Sequence, residues 1–346
     1  MRQSFQALPV SLRRSRNRAV IDSSSGKRSS AEARRVAPPD RPPQGDAFQG
    51  GIPLDGIPLA CPIDGLPLTL AGRTFACERR HAYDLSRHGH VNLLPVQFKP
   101  SRSPGDDAAM VAARRRVLDA GLFDPLADAL AERVAECAAT VSDEAPLLVD
   151  AGCGEGFYTH RMAERLAARE STRAVRVLGS DISAPAVLAA VKRHRDLGWC
   201  VANNTRLPLL SGRVGVITSL FGFETWAPWS ALQGDGRWVV VVRAGPRHLI
   251  ELREAIYARV RVHEVPSDAA AIEAGYERID ERRIVFANEG VTGERLADVL
   301  AMTPHAHRVG GPGRGEIADA PAGDLTVDAV LRVYRRRLRG PPGLSR

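Results

Sequence analysis

The chain has few cysteines, no long apolar run and, beyond its first 46 residues, almost no net charge. Five cysteines in 346 residues (Cys61, Cys77, Cys137, Cys153 and Cys200) are too few and too scattered for a disulfide framework. That excludes the small cross-linked secreted class. It leaves a reducing, cytoplasmic setting as the expectation, with one pair of cysteines free to bind metal. No window approaches eighteen consecutive apolar residues, so neither a membrane span nor a membrane partner is expected. The formal charge of +8 is concentrated at one end. Residues 1–46 hold ten Arg and Lys against four Asp and Glu, which leaves +2 for the rest. A domain so near neutrality binds RNA only through a local patch, so the basic balance is weak support for a nucleic-acid partner. What is present is ordinary for a globular protein, 44% hydrophobic and 25% charged. The length suffices for one full α/β domain and a smaller module.

Residues 1–50 are rich in Arg, Ser, Pro and Gln with scattered hydrophobes. Such a stretch cannot bury enough surface to offset ordering, and a disordered basic extension is expected. The composition also suits a transit peptide or a basic arm on RNA phosphates. A compact, turn-rich stretch follows over 51–98. Gly-Ile-Pro-Leu at Gly51 and Gly56 is echoed by Gly65-Leu66-Pro67-Leu68, too few copies for a repeat protein. Helical patterns run through Val117, Leu126, Leu130 and Val134 in the region 99–145.

From Leu147 strands and helices alternate. Strands are expected at Leu147–Asp150, Val175–Asp181, Trp199–Ala202, Val214–Leu220 and Trp238–Ala244, with helices at Thr159–Arg169, Pro185–His194 and Trp226–Leu232 between them. This spacing predicts a doubly wound parallel sheet of Rossmann-like α/β class. Beyond it the pattern suggests a helix at His248–Tyr257, a strand pair of Val260–His263 with Glu281–Phe286, and a helix at Thr292–Met302. The closing LTVDAVLRVYRRRLR fits either a strand or a helix.

The most informative run is LLVDAGCGEGFYTH, Leu147–His160. An apolar strand ends at Asp150, a turn carries Gly152, Gly154 and Gly156, and a helical pattern begins with Tyr158, Met162 and Leu166. Glycines let the backbone bend tightly and approach a ligand with no Cβ in the way. Amides at the next helix start can hold a carboxylate. Asp181, at the end of the second strand, is placed to accept two ribose hydroxyls. A tight turn that binds nothing is the plain alternative. Asn203-Asn204 could hold an adenine edge or be ordinary loop residues.

The wording Asp-x-Gly-x-Gly-x-Gly resembles the first motif of methyltransferases that use S-adenosylmethionine (SAM). Taken with CPIDGLPL, CERRHAYDLSRHGHVNLLPVQ, SRSPGDDAAMVAARRRVLDAGLFDPL, GPRHLIELREAIY and LAMTPHAHR, it makes the chain similar to the bacterial 23S ribosomal RNA (guanine-N1-)-methyltransferases over about residues 60–335. Beyond the extension 1–50 read from composition, the resemblance implies a zinc-finger-like RNA-binding module 51–98, a helical linker region 99–145 and a SAM-dependent methyltransferase domain 146–340. It implies that SAM touches Glu155, Gly156, His248 and Phe123, which stands where the family has Tyr. Asp150, Gly152, Gly154 and Asp181 complete the expected cofactor set.

The resemblance also implies a zinc site of Cys-x-x-Cys and Cys-x-x-x-His, which here reads Cys61, Asp64, Cys77 and His81. Zinc accepts carboxylate oxygen, so the set is chemically sound. The alternative is a finger held by Leu66, Leu68, Phe75, Tyr83 and Leu85 alone. Ala227-Pro228 match the family, but Phe221, Phe223, Trp226 and Trp229 make their loop aromatic, for stacking a flipped guanine or for packing. Arg79, Arg80, Arg87, His88 and His90 are either phosphate contacts or a solvated face. Glu224 is a conceivable proton acceptor.

The expected function is methylation of guanine N1 in a hairpin loop of large-subunit ribosomal RNA. The alternatives are an RNA-binding methyltransferase fold with lost activity, and a SAM enzyme with another RNA or a small-molecule substrate. The sequence is compatible with a homodimer.

Overall fold

The computed structural model describes residues 52–169, 174–257, 259–260, 264–303 and 312–338. The extension expected over 1–50 lies outside the described residues, as does the His-containing half of LAMTPHAHR. Three short strands, β1 (Thr69–Ala71), β2 (Thr74–Ala76) and β3 (Ala82–Asp84), form an antiparallel ribbon. Then come β4 (Val91–Asn92), α1 (Ala108–Asp119), α2 (Asp124–Ala139), β5 (Leu147–Ala151), α3 (Phe157–Ala167), β6 (Arg176–Asp181), α4 (Ala184–Arg193) and β7 (Gly198–Val201). The chain continues through β8 (Val216–Leu220), α5 (Trp226–Leu232), β9 (Trp238–Ala244), α6 (Ile250–Ile256) and α7 (Ala269–Glu273). It ends with β10 (Tyr276–Val291), α8 (Gly293–Ala301), α9 (Pro312–Ala318) and β11 (Gly323–Arg336).

The main sheet has the order β10-β11-β9-β8-β5-β6-β7-β4. Strands β4 to β9 are parallel, and the order reverses on either side of β5, which opens a crevice at the carboxyl ends of the strands. The expected α/β doubly wound architecture is present. It differs from a wholly parallel sheet at one end, where β11 runs antiparallel to β9 and β10 antiparallel to β11.

One expectation is revised there and one open alternative is decided. Glu281–Phe286 lies inside β10 and pairs with β11, while most of the expected partner Val260–His263 lies outside the described residues. The ambiguous closing segment is β11, a strand buried on both sides between β9 and β10. Its charged members are held in place: Arg332 reaches Asp268 and Glu281 from within the sheet.

The two faces of the sheet are covered differently. One carries α1, α2, α3 and α8, where Leu126, Leu130, Val134 and Cys137 of α2 recur at helical spacing and pack on Val216, Val240 and Val242. On the other face, only a single 3-10 turn, Asn204–Arg206, lies between β7 and β8. Apolar side chains from the ribbon segment fill that space. Leu54, Ile57, Leu59, Leu68 and Phe75 share a core with Val149, Leu178, Cys200, Ala202 and Ile217. The approach is close: a Cβ on Gly198 would lie 2.8 Å from Ile57 Cδ1. Each such aliphatic burial contributes roughly 1.5–3 kcal/mol. The ribbon is thus a layer of the sheet's packing.

Candidate cofactor site and metal centre

β5 is buried along its length, and the chain must turn into α3 within a few residues of Ala151. Gly152 (φ 95°), Gly154 (φ 56°) and Gly156 (φ 86°) make that turn in the left-handed region, where a Cβ is costly. A Cβ on Gly156 would also fall 2.6 Å from the Trp199 ring, and one on Gly179 of β6 would fall 2.2 Å from it. Trp199 is fully buried, and its Nε1–H donates to the His194 carbonyl at 2.8 Å. The indole is therefore a fixed floor beneath the turn.

The turn is pinned from above as well. The Gly152 and Cys153 amides donate to the Ser180 carbonyl at 2.8 and 3.0 Å. The Gly154 amide donates to Asp181 Oδ2 at 2.9 Å, and the Ser183 amide to Oδ1 at 2.8 Å. Burial raises the Asp181 carboxyl above its usual range despite those two donors. Asp150, 1% exposed, receives the Thr159 hydroxyl at 2.5 Å and the Thr218 hydroxyl at 2.8 Å, which ties β5 to α3 and β8. Burial pushes its carboxyl up to about 6, against both hydroxyls.

Glu155 is different. It is 1% exposed, Oε2 stands 3.5 Å from Arg193 Nη1, and Oε1 has no protein partner. Burial, only partly offset by Arg193, pushes it up to about 7. An orphaned buried acceptor marks a place for a donor the protein does not supply.

These groups converge on one cavity of about 300 Å³ at the strand ends, lined by Asp150, the glycine turn, Glu155 and Asp181. Asn204 also faces it, with Oδ1 buried and unpartnered. Asn203 instead caps its own turn by accepting from the Thr205 amide at 3.0 Å. Phe123 and His248 are brought together, but behind the cavity wall. Their rings are 6.2 Å apart, and His248 in turn stacks on Phe221 at 5.1 Å. The Asp328 amide donates to His248 Nδ1 at 3.3 Å.

Part of the wall was not foreseen from the sequence. Gly105, Asp106 and Arg114 line the cavity, Asp106 and Arg114 as an ion pair. The loop is held by the Ser183 hydroxyl, which donates to the Asp106 carbonyl at 2.6 Å. The Pro104-Gly105 dipeptide was the available signal, since Gly105 has φ 79° and a Cβ there would lie 2.8 Å from Ser183.

The aromatic loop divides in two. Trp226 and Trp229 are buried in the core, Trp226 packing edge-on against Trp229, Tyr276 and Tyr334. Phe221 and Phe223 line the cavity mouth and are 41% and 89% exposed. Glu224 is occupied: Arg243 donates to both of its oxygens, and Trp226 Nε1 donates to Oε2 at 3.0 Å. With both oxygens committed to a cation it is a strut for the loop.

At the ribbon, one donor atom from each of Cys61, Asp64, Cys77 and His81 lies within 4.8 Å of the others. His81 Nδ1 is 3.0 Å from Asp64 Oδ2 and 3.5 Å from both thiols, and Cys77 Sγ is 3.5 Å from the same carboxylate oxygen. Tetrahedral zinc, with bonds of about 2.0–2.3 Å, has ligand-to-ligand edges of about 3.3–3.8 Å. The set fits. Burial acts to raise the Asp64 carboxyl, but the Leu66 amide, the two thiols and His81 outweigh it and hold it at about 2. The carboxylate is therefore ionised, the form a metal would require. Nearby, Arg79, Arg80 and Arg87 are exposed, whereas His88 and His90 are half-buried with His90 bonded to Ser86.

The comparisons with known proteins fall on these two sites. Residues 59–102 match the family model of the RlmA N-terminal zinc ribbon, and residues 149–237 match that of a methyltransferase domain. The chain is 32% identical over 288 residues to the Bacillus subtilis protein named "Putative 23S rRNA (guanine-N(1)-)-methyltransferase YxjB", covering 81% of this chain and 98% of that one. It is 31% identical over 281 residues to the 23S rRNA (guanine(748)-N(1))-methyltransferase of Streptomyces fradiae, covering 80% of this chain and 96% of that one.

Proposed function

Because this chain belongs to the family of 23S ribosomal RNA (guanine-N1-)-methyltransferases, we propose that it transfers a methyl group from SAM to N1 of a guanine in a hairpin loop of large-subunit ribosomal RNA. The observation that carries this reading is the single cavity onto which the glycine turn, Glu155 and Asp181 converge. Its volume, about 300 Å³, lies in the range of small-molecule sites. Bound there, SAM supplies a methyl group already activated by its sulfonium.

The protein's own work is positioning. Asp181 has lone pairs left on both oxygens for ribose hydroxyls, and the amides opening α3 face a carboxylate. The unpartnered Glu155 oxygen accepts an ammonium donor. Phe123 and His248 back the wall at Phe221. Asn204 offers its free acceptor toward an adenine. The flat glycine turn lets all of these approach one ligand.

Guanine N1 lies on the Watson–Crick edge, so the acceptor must be unpaired or swung out, as a hairpin loop allows. The exposed Arg79, Arg80 and Arg87 of the ribbon are suited to phosphates, which position an RNA without reading its sequence. Cys61, Asp64, Cys77 and His81 would hold zinc, whose role there is a cross-link of the ribbon.

The test is methylation in vitro. Purified protein, SAM and an unmodified transcript of the large-subunit RNA should give one new reverse-transcription stop at a guanine, since N1 methylation blocks base pairing. No stop and no methyl incorporation would overturn the reading. Purified protein should also carry one zinc, lost in Asp64→Ala and kept in Asp64→Cys. Zinc-free wild type would overturn the metal assignment.

A further inference from the structure

The cavity has a direction. Asp181 ends β6, the glycine turn follows β5, and Phe221 and Phe223 follow β8, so the wall crosses three adjacent strand ends about 4.8 Å apart. Ribose at Asp181 and the sulfonium above the turn would leave the β8 end for the acceptor. That end is built from two aromatic rings with little protein over them. Among the described residues they are the two exposed phenylalanines.

Phe221 sits in the left-handed region at φ 52°, which a side chain rarely adopts. Its amide is held by the Val242 carbonyl at 2.8 Å, and its ring lies nearly parallel to His248, 29° off. Strained backbone of this kind survives where the surroundings over-determine it, and it clusters at functional sites. Gly222 then lets the chain turn beside the Ser219 hydroxyl, 3.2 Å from where a Cβ would be. Phe223 projects into solvent with nine-tenths of its surface free. The neighbouring Trp226 and Trp229 show that the same loop can bury aromatics when packing is their role.

From this contrast we infer that Phe221 and Phe223 form the lip that receives the acceptor base, Phe223 stacking on the guanine face and Phe221 closing the inner wall. The assignment rests on the methyltransferase reading above. It makes Phe223 a specificity-determining residue for an unpaired base, because stacking needs an open ring face and a duplex offers none. Paired guanines cannot enter the lip without unstacking.

Phe223→Ala and Phe223→Trp decide it, compared with wild type for unfolding temperature, SAM affinity by calorimetry, and methyl transfer to the unmodified transcript. Base–aromatic stacking predicts a loss of roughly ten- to a hundredfold in kcat/KM for RNA in the alanine variant, mostly in KM. SAM affinity and unfolding temperature should stay at wild-type values, and tryptophan should restore the loss. An alanine variant with wild-type kcat/KM overturns the lip while leaving the methyltransferase reading intact. One that loses SAM binding in equal measure overturns it too, since the ring would then serve the cofactor. If the wild type transfers no methyl group, the function reading fails, and transcript binding judges the lip alone. Weakening by alanine and rescue by tryptophan then support it, and unchanged binding overturns it.

Discussion

The two ends of the cavity are built by opposite means. At the glycine turn the frame is fixed: the backbone rests on Trp199, the Gly152, Cys153 and Gly154 amides are spent on Ser180 and Asp181, and Asp150 is clasped by two hydroxyls, which leaves Glu155 Oε1 as an open acceptor. At the β8 lip one ring leans on His248 and the other touches almost nothing. A cofactor is the same molecule at every turnover, so a rigid mould costs nothing in versatility. A base in RNA must be taken out of its own structure first, so an open ring face is the better receiver. The prediction is a division of effects: changes at the turn act on folding and SAM, changes at the lip on RNA alone.

The sharpest way to break that division is Gly179→Ala. The new methyl would lie 2.2 Å from a buried indole that cannot move without losing its place under Gly156. Overpacking of this severity should cost on the order of 3 kcal/mol, read as a fall in unfolding temperature together with weaker SAM binding. A variant that unfolds like wild type would mean that the floor yields and the mould is soft.

Asp181→Asn comes next. The amide keeps one acceptor for the Gly154 or Ser183 N–H but loses the charge that two ribose hydroxyls would share. Charge-assisted hydrogen bonds contribute about 1.5–3 kcal/mol each, so a loss of roughly ten- to a hundredfold in SAM affinity is expected by calorimetry, with RNA binding unaltered. If RNA binding fell in parallel, the two ends would not be separable.

Glu155 offers a pH test of the same end. Its carboxyl titrates at 4.5 in the unfolded chain and near 7 in the folded one. The folded state therefore binds the proton more tightly, and stability is lost as pH rises from 4.5 through about 7. A cationic ligand prefers the carboxylate, so SAM affinity should rise over the upper part of that window. Glu155→Gln should flatten the affinity curve and lessen the stability slope, leaving the part that the raised carboxyls of Asp150 and Asp181 contribute. An affinity independent of pH in wild type would remove Glu155 from the ammonium.

What the sequence revealed and what it hid follow the same division. The turn was legible because its constraints are local: glycines at fixed spacing, a strand before, a helix after, Asp181 at the next strand end. The four candidate metal ligands were legible only through the family resemblance, since Asp64 stands where that pattern has cysteine. Gly105 and Arg114 were not, because Gly105 packs on Ser183 far along the chain, which also holds the Asp106 carbonyl, and Arg114 reaches the wall through its ion pair with Asp106. β11 was ambiguous because burial on both sides erases the two-residue alternation, and Arg332 inside it looks like a surface residue until Asp268 and Glu281 are seen. The split of the aromatic loop could not be read from composition, since Phe223 and Trp226 differ only in which way a short turn sends them.

Glu224 tests the lip with the smallest expected effect. It follows Phe223 directly and invites a role in removing the N1 proton. Both oxygens nevertheless face Arg243, which is anchored again on the Pro266 carbonyl at 3.0 Å. Taking a proton there would leave a buried guanidinium uncompensated. Glu224→Gln keeps the shape and one acceptor for Arg243. Its kcat should stay within about threefold of wild type, with the pH–rate profile unchanged, because a true general base contributes about a hundredfold or more. Stability should fall modestly, since the charge partner of Arg243 is gone. Loss of the acidic limb from the profile would instead show that the carboxylate leaves Arg243 when RNA arrives. The lip would then be chemical as well as receptive.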